Sequence, residues 1–540
     1  NNNHTVYDYQ GATIAGSSNN AVRSVVYDIT NTTAYLAQAS DISGGGRLLT
    51  TTVDSTTVTN VVGSDGNDEF GNTNGLTVGT ITANLGAGND SLVKVFLTSG
   101  SDIDMGSGDD TVSLQMNSFA SNSLSQLDGG AGADTLSFEL SDGSNGSTLT
   151  LTSYGASNFE NLVGTPSNEI LQGDSSNNII NDHSYTNDNG GGTDSMYGYG
   201  GDDTLYGNGS FYGGSGNDTL TGFTSDDTFD GGTGSDTITT GTGSDTIVIR
   251  TGDGGSTIAD ADVIKDFTDG TDVIGLATGS GALAYTDLTI AQGSGSNASH
   301  VLVSKTSSSE YITMIENINV SNVNYYDFVS MATGSQTLTG TTGDDVLLGA
   351  SGVDTVTTDI GTDVVLGYGG DDDITINGSG SKTIDGGSGT DSLNVTILSN
   401  LSSVSNLSIA SNFSSSSLFS FETGGYTISI KNVEMFLLNL SPITVYDYQG
   451  ATIAGSSNNA VRSVVYDITN TTAYLAQASD ISGGGRLLTT TVDSTTVTNV
   501  VGSDGNDEFG NTNGLTVGTI TANLGAGNDS LVKVFLTSGS

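Results

Sequence analysis

The chain has no cysteine and no tryptophan in 540 residues, only two prolines, and only eleven lysines and arginines. Without cysteine, neither a disulfide framework nor thiolate-bound metal can hold a fold together. So few basic residues exclude nucleic acid as a partner and make anionic membranes a poor one, because both are bound through Lys and Arg. No apolar run is long enough for a transmembrane helix. No basic stretch followed by an apolar one opens the chain as a secretory leader would, and Asn1 is not an initiator methionine, so the chain reads as a piece of something longer. With 34% apolar residues, a single thick core is not expected.

Glycine, at 78 residues, and acid are abundant, and 60 Asp and Glu give a formal charge of −49. Such charge drives a compact chain apart unless cations sit among the carboxylates. The acid does not form the blocks of a disordered tail; it recurs beside glycine at regular spacing.

Repetition occurs at two scales. Residues 444–540 match 5–101 without a difference, an offset of 439 residues over 97 positions. A fold does not demand identity at solvent-facing positions, so the match points to recent duplication in a tandem array. Ser540 falls inside a repeat, since Ser101 of the first copy runs on into DIDMGSGDDTVSL, and it is not expected to be a natural terminus. The smaller scale is nine residues. GGSGNDTLT, GFTSDDTFD, GGTGSDTIT and TGTGSDTIV place Asp218, Asp227, Asp236 and Asp245 at intervals of nine. A second run places Asp345, Asp354, Asp363 and Asp372 in the same register, and Asp391 resumes it after a one-residue slip. Lys382 stands in the slipped turn, where no ion is expected. Upstream, Asp68, Asp90, Asp110 and Asp134 fall 20 to 24 residues apart, which suits larger coils. Glu169 and Asn178 take the Asp position in two weaker turns before Asp194 and Asp203, and Asp507 and Asp529 recur in the duplicate.

The nonapeptide resembles the calcium-binding G-G-x-G-x-D-x-U-x repeat of RTX (repeats-in-toxin) proteins. That resemblance implies an all-β chain, a parallel β-roll or β-helix solenoid with calcium-binding turns and interspersed β-rich caps. In such a repeat six residues turn, and three form a strand with one apolar side chain inward, here Leu220, Phe229, Ile238 and Ile247. Two turns and two strands close a coil, so Asp218 should stack on Asp236 about 4.8 Å away along the axis. Calcium–oxygen bonds of about 2.4 Å span that gap. The expected ligands are the seventeen aspartates of the three preceding runs and the duplicate, with turn carbonyls such as those of Gly214, Gly216, Gly232 and Gly234. Calcium is the expected cofactor, because one buried aliphatic per nine residues does not offset the ordering of nine backbones.

The chain divides on this reading into a β-rich segment at 5–62, a long-coil β-helix at 63–163, a first roll at 164–250, a β cap at 251–333, a second roll at 334–398, a β-rich segment at 399–443 and the duplicate at 444–540. DVIKDFTDGTDVIGL, residues 262–276, resembles the segment that closes the roll in serralysin-type secreted proteases, which makes Asp262, Asp266 and Asp272 lesser calcium candidates.

Catalysis is not expected. No HExxH zinc motif is present, and His4, His183 and His300 are isolated from one another. A lyase or epimerase acting on polysaccharide through paired carboxylates is the enzymatic alternative, but the chain lacks tryptophan to stack a sugar ring and a basic cleft to hold an acidic one. The expected role is a calcium-stabilised structural unit of an extracellular filament, fibre or surface layer that associates with neighbouring units. The alternative is the extender of an adhesin whose ligand-binding domain lies elsewhere. Its RTX relatives leave the cell through type I secretion, which implies an extracellular or surface location.

Overall fold

The computed structural model describes residues 4–7, 22–38, 44–53, 56–116, 126–140, 147–182, 192–398, 401–409, 419–446, 461–467, 469–478, 483–492 and 495–536. Among these residues there is no α-helix, only β-strands and short 3-10 turns. His183 lies outside them. The chain forms two compact units, one of residues 1–275 and 288–327, the other of 276–287 and 328–540.

In the first unit one wall is a continuous parallel sheet. It runs through Asn67–Thr77, Ser91–Phe96, Thr111–Met116, Thr135–Leu140, Asn161–Val163, Ile179–Asn181, Thr204–Gly207, Thr219–Gly222, Thr237–Thr239 and Asp262–Ile264. The opposite wall changes partway. Asn60–Val62, Thr82–Asn84, Asp102–Asp104 and Gln126–Asp128 belong to one sheet, ending at Ala156–Ser157. From Ser147–Thr150 a second sheet takes over, with Glu169–Gln172, Asp194–Gly200, Gly209–Ser215, Thr228–Thr233 and Thr246–Ile249. The chain therefore alternates between two parallel walls throughout, which is the β-solenoid that the periodicity implies.

Each wall contributes one file of apolar side chains. Leu205, Leu220 and Ile238 stand in register on one wall, and Phe211, Phe229 and Ile247 on the other. All are buried, and the rings of Phe211 and Phe229 stack at 4.7 Å between centroids. The stacked turns sit so close that a side chain at Gly232 or Gly234 would run into the carbonyls of Gly214 and Gly216 one coil below. Both glycines have positive φ, 95° and 140°, a conformation that other residues rarely adopt. Antiparallel strands close the solenoid. At its start His4–Tyr7, Val25–Asp28 and Thr33–Leu36 pair antiparallel, and the last then pairs parallel with Asn60–Val62. At its end Leu288–Gln292, Val301–Lys305 and Glu310–Ile315 do the same, with the last parallel to Asp262–Ile264. These antiparallel strands replace the parallel edge of the solenoid at each end.

The second unit repeats the plan. Thr337–Thr339, Thr355–Thr357, Asp373–Ile376 and Ser392–Val395 form one wall, and Val346–Leu348, Asp363–Leu366 and Lys382–Asp385 the other. Met435–Leu438 extends the first wall and Tyr426–Lys431 the second. Ser441–Tyr446 then turns back antiparallel on Met435–Leu438, so the duplicate continues the same sheet, which reaches ten strands.

Candidate metal centre

The aspartates of the nine-residue register lie at the turn just before each strand, and the parallel register stacks them in columns. Their carboxylates link one coil to the next. The backbone N–H of Asp68 donates to Oδ1 of Asp90, Asp90 to Asp110, and Asp110 to Asp134. Farther along, Asn178 donates to Asp203, Asp203 to Asp218, Asp218 to Asp236 and Asp236 to Asp262. These bonds measure 2.6–3.0 Å. A second column joins Gly209 to Asp227, Asp227 to Asp245 and Asp245 to Asp272, and in the second unit Asp354 donates to Asp372 and Asp372 to Asp391.

Oδ1 is thus a structural acceptor, and Oδ2 is left over. In Asp90, Asp110, Asp134, Asp194, Asp203, Asp218, Asp227, Asp236, Asp245, Asp372 and Asp391 the Oδ2 atom is buried without a hydrogen-bond partner. An uncompensated buried carboxylate oxygen is costly, so each calls for a cation. Main-chain oxygens converge on the same spaces. A methyl group at Gly213 would overlap both Asp218 Oδ2 and the Gly231 carbonyl, and one at Gly198 would overlap Asp203 Oδ2 and the Gly213 carbonyl. Gly367 relates in the same way to Asp372 Oδ2 and the Gly386 carbonyl. Each of these spaces brings a carboxylate oxygen and a main-chain carbonyl together, the donor type that a hard cation such as calcium takes. Among the described residues no three carboxylates or imidazoles gather at one point, so carbonyls have to complete the ligand sets. At these three cradles the carbonyls beside Oδ2 are those of Gly231, Gly213 and Gly386, each one residue before Gly232, Gly214 and Gly387.

With one exception, the second residue of the repeat goes with whether Oδ2 stays open. Four residues before Asp90, Asp110, Asp134, Asp218, Asp236, Asp245 and Asp391 stands a glycine with φ between 90° and 111° (Gly86, Gly106, Gly130, Gly214, Gly232, Gly241, Gly387). Tyr199 and Tyr368 also hold a positive φ before Asp203 and Asp372. Where that position is Ser64, Thr341, Ala350 or Ser503, φ is not positive, and its N–H donates to Oδ2 of Asp68, Asp345, Asp354 or Asp507 at 2.6–2.7 Å. Asp227 departs from the pattern. Phe223 precedes it without a positive φ and turns its N–H toward the carboxylate, yet Oδ2 has no hydrogen bond. The four N–H-bound aspartates share the motif with Asp218, but their carboxylates are already satisfied. Asp529, in the duplicate, is half-buried and accepts from the Asp507 N–H at 3.1 Å. Glu169 has both oxygens bonded to Thr165, and Asn178 accepts from Asp174 N–H while its amide donates to the Glu160 carbonyl at 3.0 Å. Of the cap residues, Asp262 and Asp272 join the columns. Asp266 does not; it accepts from Thr240 N–H and Gly241 N–H.

Three features have no counterpart in the nine-residue count. The residue before each Asp builds a second ladder running in the opposite sense: Asn67 Oδ1 accepts from Asn89 N–H, Asn89 from Asp109, Asp202 from Asn217 and Asn217 from Ser235, at 2.8–3.1 Å. Its sequence signal is the Asn or Asp in GND, GDD and SDD. Asp253 is buried outside the register, with Arg250 N–H on Oδ2 at 2.8 Å and the guanidinium 3.5 Å from Oδ1. Lys382 is also fully buried. It occupies the Asp position opposite Asp363, with Nζ 2.8 Å from Asp363 Oδ2 and 2.6 Å from the Gly361 carbonyl. Asp363, expected as a calcium ligand, is instead paired to a cation built into the chain. Lys382→Met is expected to destabilise the second roll by about 3–5 kcal/mol, as loss of one partner from a buried ion pair does. Lys382→Asp restores the motif and is expected to raise the calcium count per chain by one, measured by native mass spectrometry; an unchanged count would show that this rung is not equivalent to the others.

Burial dominates the carboxyl pKa values, opposed by the N–H from the neighbouring Asp and reinforced by nearby carboxylates. It lifts Asp90 to about 8, Asp203 to about 7 and Asp218 to about 6. Asp194 rises to about 8, Asp236 to about 7 and Asp372 to about 6 for the same leading reason. In the metal-free chain the folded form then holds protons that the unfolded form, with carboxyls near 3.8, releases. Its stability is therefore greatest below about pH 4 and is lost as pH rises through 6 to 8. In chelator, lowering the pH from 8 to 4.5 is expected to restore part of the β-sheet circular dichroism; a signal that weakens on acidification would show that these carboxyls are not buried in the metal-free fold.

The family model of the RTX calcium-binding nonapeptide repeat matches this chain in four copies, over residues 188–210, 211–247, 332–365 and 339–374. No curated protein matches it. The matched segments lie in the two stretches where the turns stack at the shortest spacing and where the open Oδ2 atoms of Asp203, Asp218, Asp227, Asp236 and Asp372 occur. Nonapeptide register, parallel two-walled solenoid and turns that bring carboxylate and carbonyl oxygens together agree, and the matched segments carry the RTX nonapeptide repeat, whose turns bind calcium.

Proposed function

We propose that the chain is a calcium-stabilised structural unit of an extracellular filament, fibre or surface layer, non-catalytic, with the eleven open aspartates as its main ion ligands. The observation that carries this reading is the continuity of the duplicate with what precedes it. Met435–Leu438 and Ser441–Tyr446 pair directly, with no flexible Gly/Ser or Pro-rich linker to decouple one unit from the next. A single core runs from Val356 through Phe436 to Tyr474. Repeats joined in this way share one sheet and one core, which supports a continuous array over beads on a string. The acidic side chains serve the coil-to-coil ladders and the ion cradles, and this supports a structural role over catalysis. RTX repeats are typical of type I secretion substrates; at cytosolic calcium the chain would stay unfolded for export and fold where calcium is millimolar. Electron microscopy of the native material in calcium tests the proposal. Straight rods or sheets with a constant axial repeat are expected, and freely tumbling beads would sink it.

A further inference from the structure

The same 97-residue sequence occurs in two surroundings, and the contrast marks a surface. In the second copy Val445, Val465, Tyr474 and Ala476 belong to one buried core with Leu407, Phe436 and Leu438, and Val501 packs against it. Ser408 and Ile409 also pair through the main chain with Gln477 and Ala478. Residues 401–409 and 419–440 thus cover one face of the copy. The identical positions in the first copy, 439 residues earlier, are Val6, Val26, Tyr35, Ala37 and Val62. There Tyr35 is 42% exposed against 7% for Tyr474, Val62 is 38% exposed, and Val6, Val26 and Ala37 are only half-buried.

We propose that this face of the first copy is a docking site for residues 401–409 and 419–440 of a second copy of this chain, the coupling by which one unit joins the next. Identical residues that build a packed interface in one place present the same apolar side chains in the other. The contact is heterologous: the donor and the acceptor face are different surfaces of one chain, so once donors are released from residues 444–540, repeated docking propagates head to tail. The inference deepens the filament reading and rests on it. Each chain's own donor is already held by residues 444–540 at high effective concentration, so exchange between chains requires that internal contact to be loosened.

The absence of cysteine makes a disulfide test clean. In the full chain Ser408→Cys with Gln477→Cys should close an internal disulfide. Ser408→Cys with Gln38→Cys, in a chain whose donor is freed by Val465→Asp and Tyr474→Asp, should give a ladder of linked chains in calcium. Adding Val26→Asp and Tyr35→Asp should remove that ladder at least tenfold. Because the freed-donor chain can lose its fold, a second arm uses the Ser408→Cys, Gln38→Cys chain with no other change. It is unfolded in chelator and refolded in calcium, and the linked fraction should rise with chain concentration. The proposal is overturned if no interchain disulfide forms in either arm, or if the ladder survives Val26→Asp and Tyr35→Asp undiminished. Native filaments without this disulfide would refute the docking face and leave the filament reading standing; the disulfide without any axial repeat in the native material would do the reverse.

Discussion

Chelation of calcium is expected to unfold the chain. The eleven buried Oδ2 atoms without partners and a formal charge of −49 both oppose folding in the absence of cations. Stacked in columns, the carboxylates also repel one another: Asp68 and Asp110 each raise the pKa of Asp90, and Asp218 raises that of Asp236. An ion held at a hundredfold excess over its dissociation constant stabilises the fold by about 2.7 kcal/mol per site. A handful of sites then outweighs the whole net stability of an ordinary domain, about 5–15 kcal/mol. Excess EDTA at pH 7.5 should therefore abolish most of the β-sheet signal and enlarge the hydrodynamic radius, and millimolar calcium should restore both. Magnesium should substitute poorly, because it holds its waters and demands a tighter octahedron than carbonyl-rich turns supply. An unchanged radius in EDTA would show that hydrogen-bonded ladders alone hold the solenoid.

The solenoid is legible in the nine-residue spacing because period and burial are coupled. A coil of two strands and two turns places Leu220, Phe229, Ile238 and Ile247 inward, and all four are buried. The large-coil region is legible for the same reason, since the Asp spacing of 20 to 24 residues measures its coils. What the spacing does not carry is how each carboxylate divides its two oxygens. That depends on main-chain direction one turn earlier, which a motif count treats as equivalent whether the residue is Gly214 or Thr341. A subtler signal does lie in the sequence: a glycine four residues before the Asp accompanies an open oxygen, whereas Ser64, Thr341, Ala350 and Ser503 donate N–H to it. Tyr199 and Tyr368 hide that signal, since they adopt a positive φ without being glycine. Lys382 is the reverse case. Its place in a slipped turn leads to the expectation that no ion binds there, but the pairing of its ammonium with Asp363 is a matter of geometry across the coil.

Asp218→Asn and Asp345→Asn separate these two kinds of aspartate. Asparagine keeps an oxygen to accept the ladder hydrogen bond but gives up the charge, so the substitution leaves the coil-to-coil link in place and alters only what a cation feels. At Asp218, Oδ1 holds the Asp203 N–H at 2.8 Å while Oδ2 is bare. Loss of the charge there should remove one calcium per chain and lower the melting temperature in calcium by roughly 5 °C, equivalent to about 2–3 kcal/mol for a unit of this size. At Asp345, Oδ2 holds the Thr341 N–H at 2.6 Å and Oδ1 the Thr341 hydroxyl at 3.2 Å. Its replacement should leave the calcium count unchanged and shift the melting temperature by no more than a weakened hydrogen bond does, about 1 kcal/mol. Isothermal titration calorimetry for ion number and thermal melts at several calcium concentrations measure both effects. If the two variants lose calcium equally, the open or closed state of Oδ2 does not select the ion ligands, and the nine-residue register alone does.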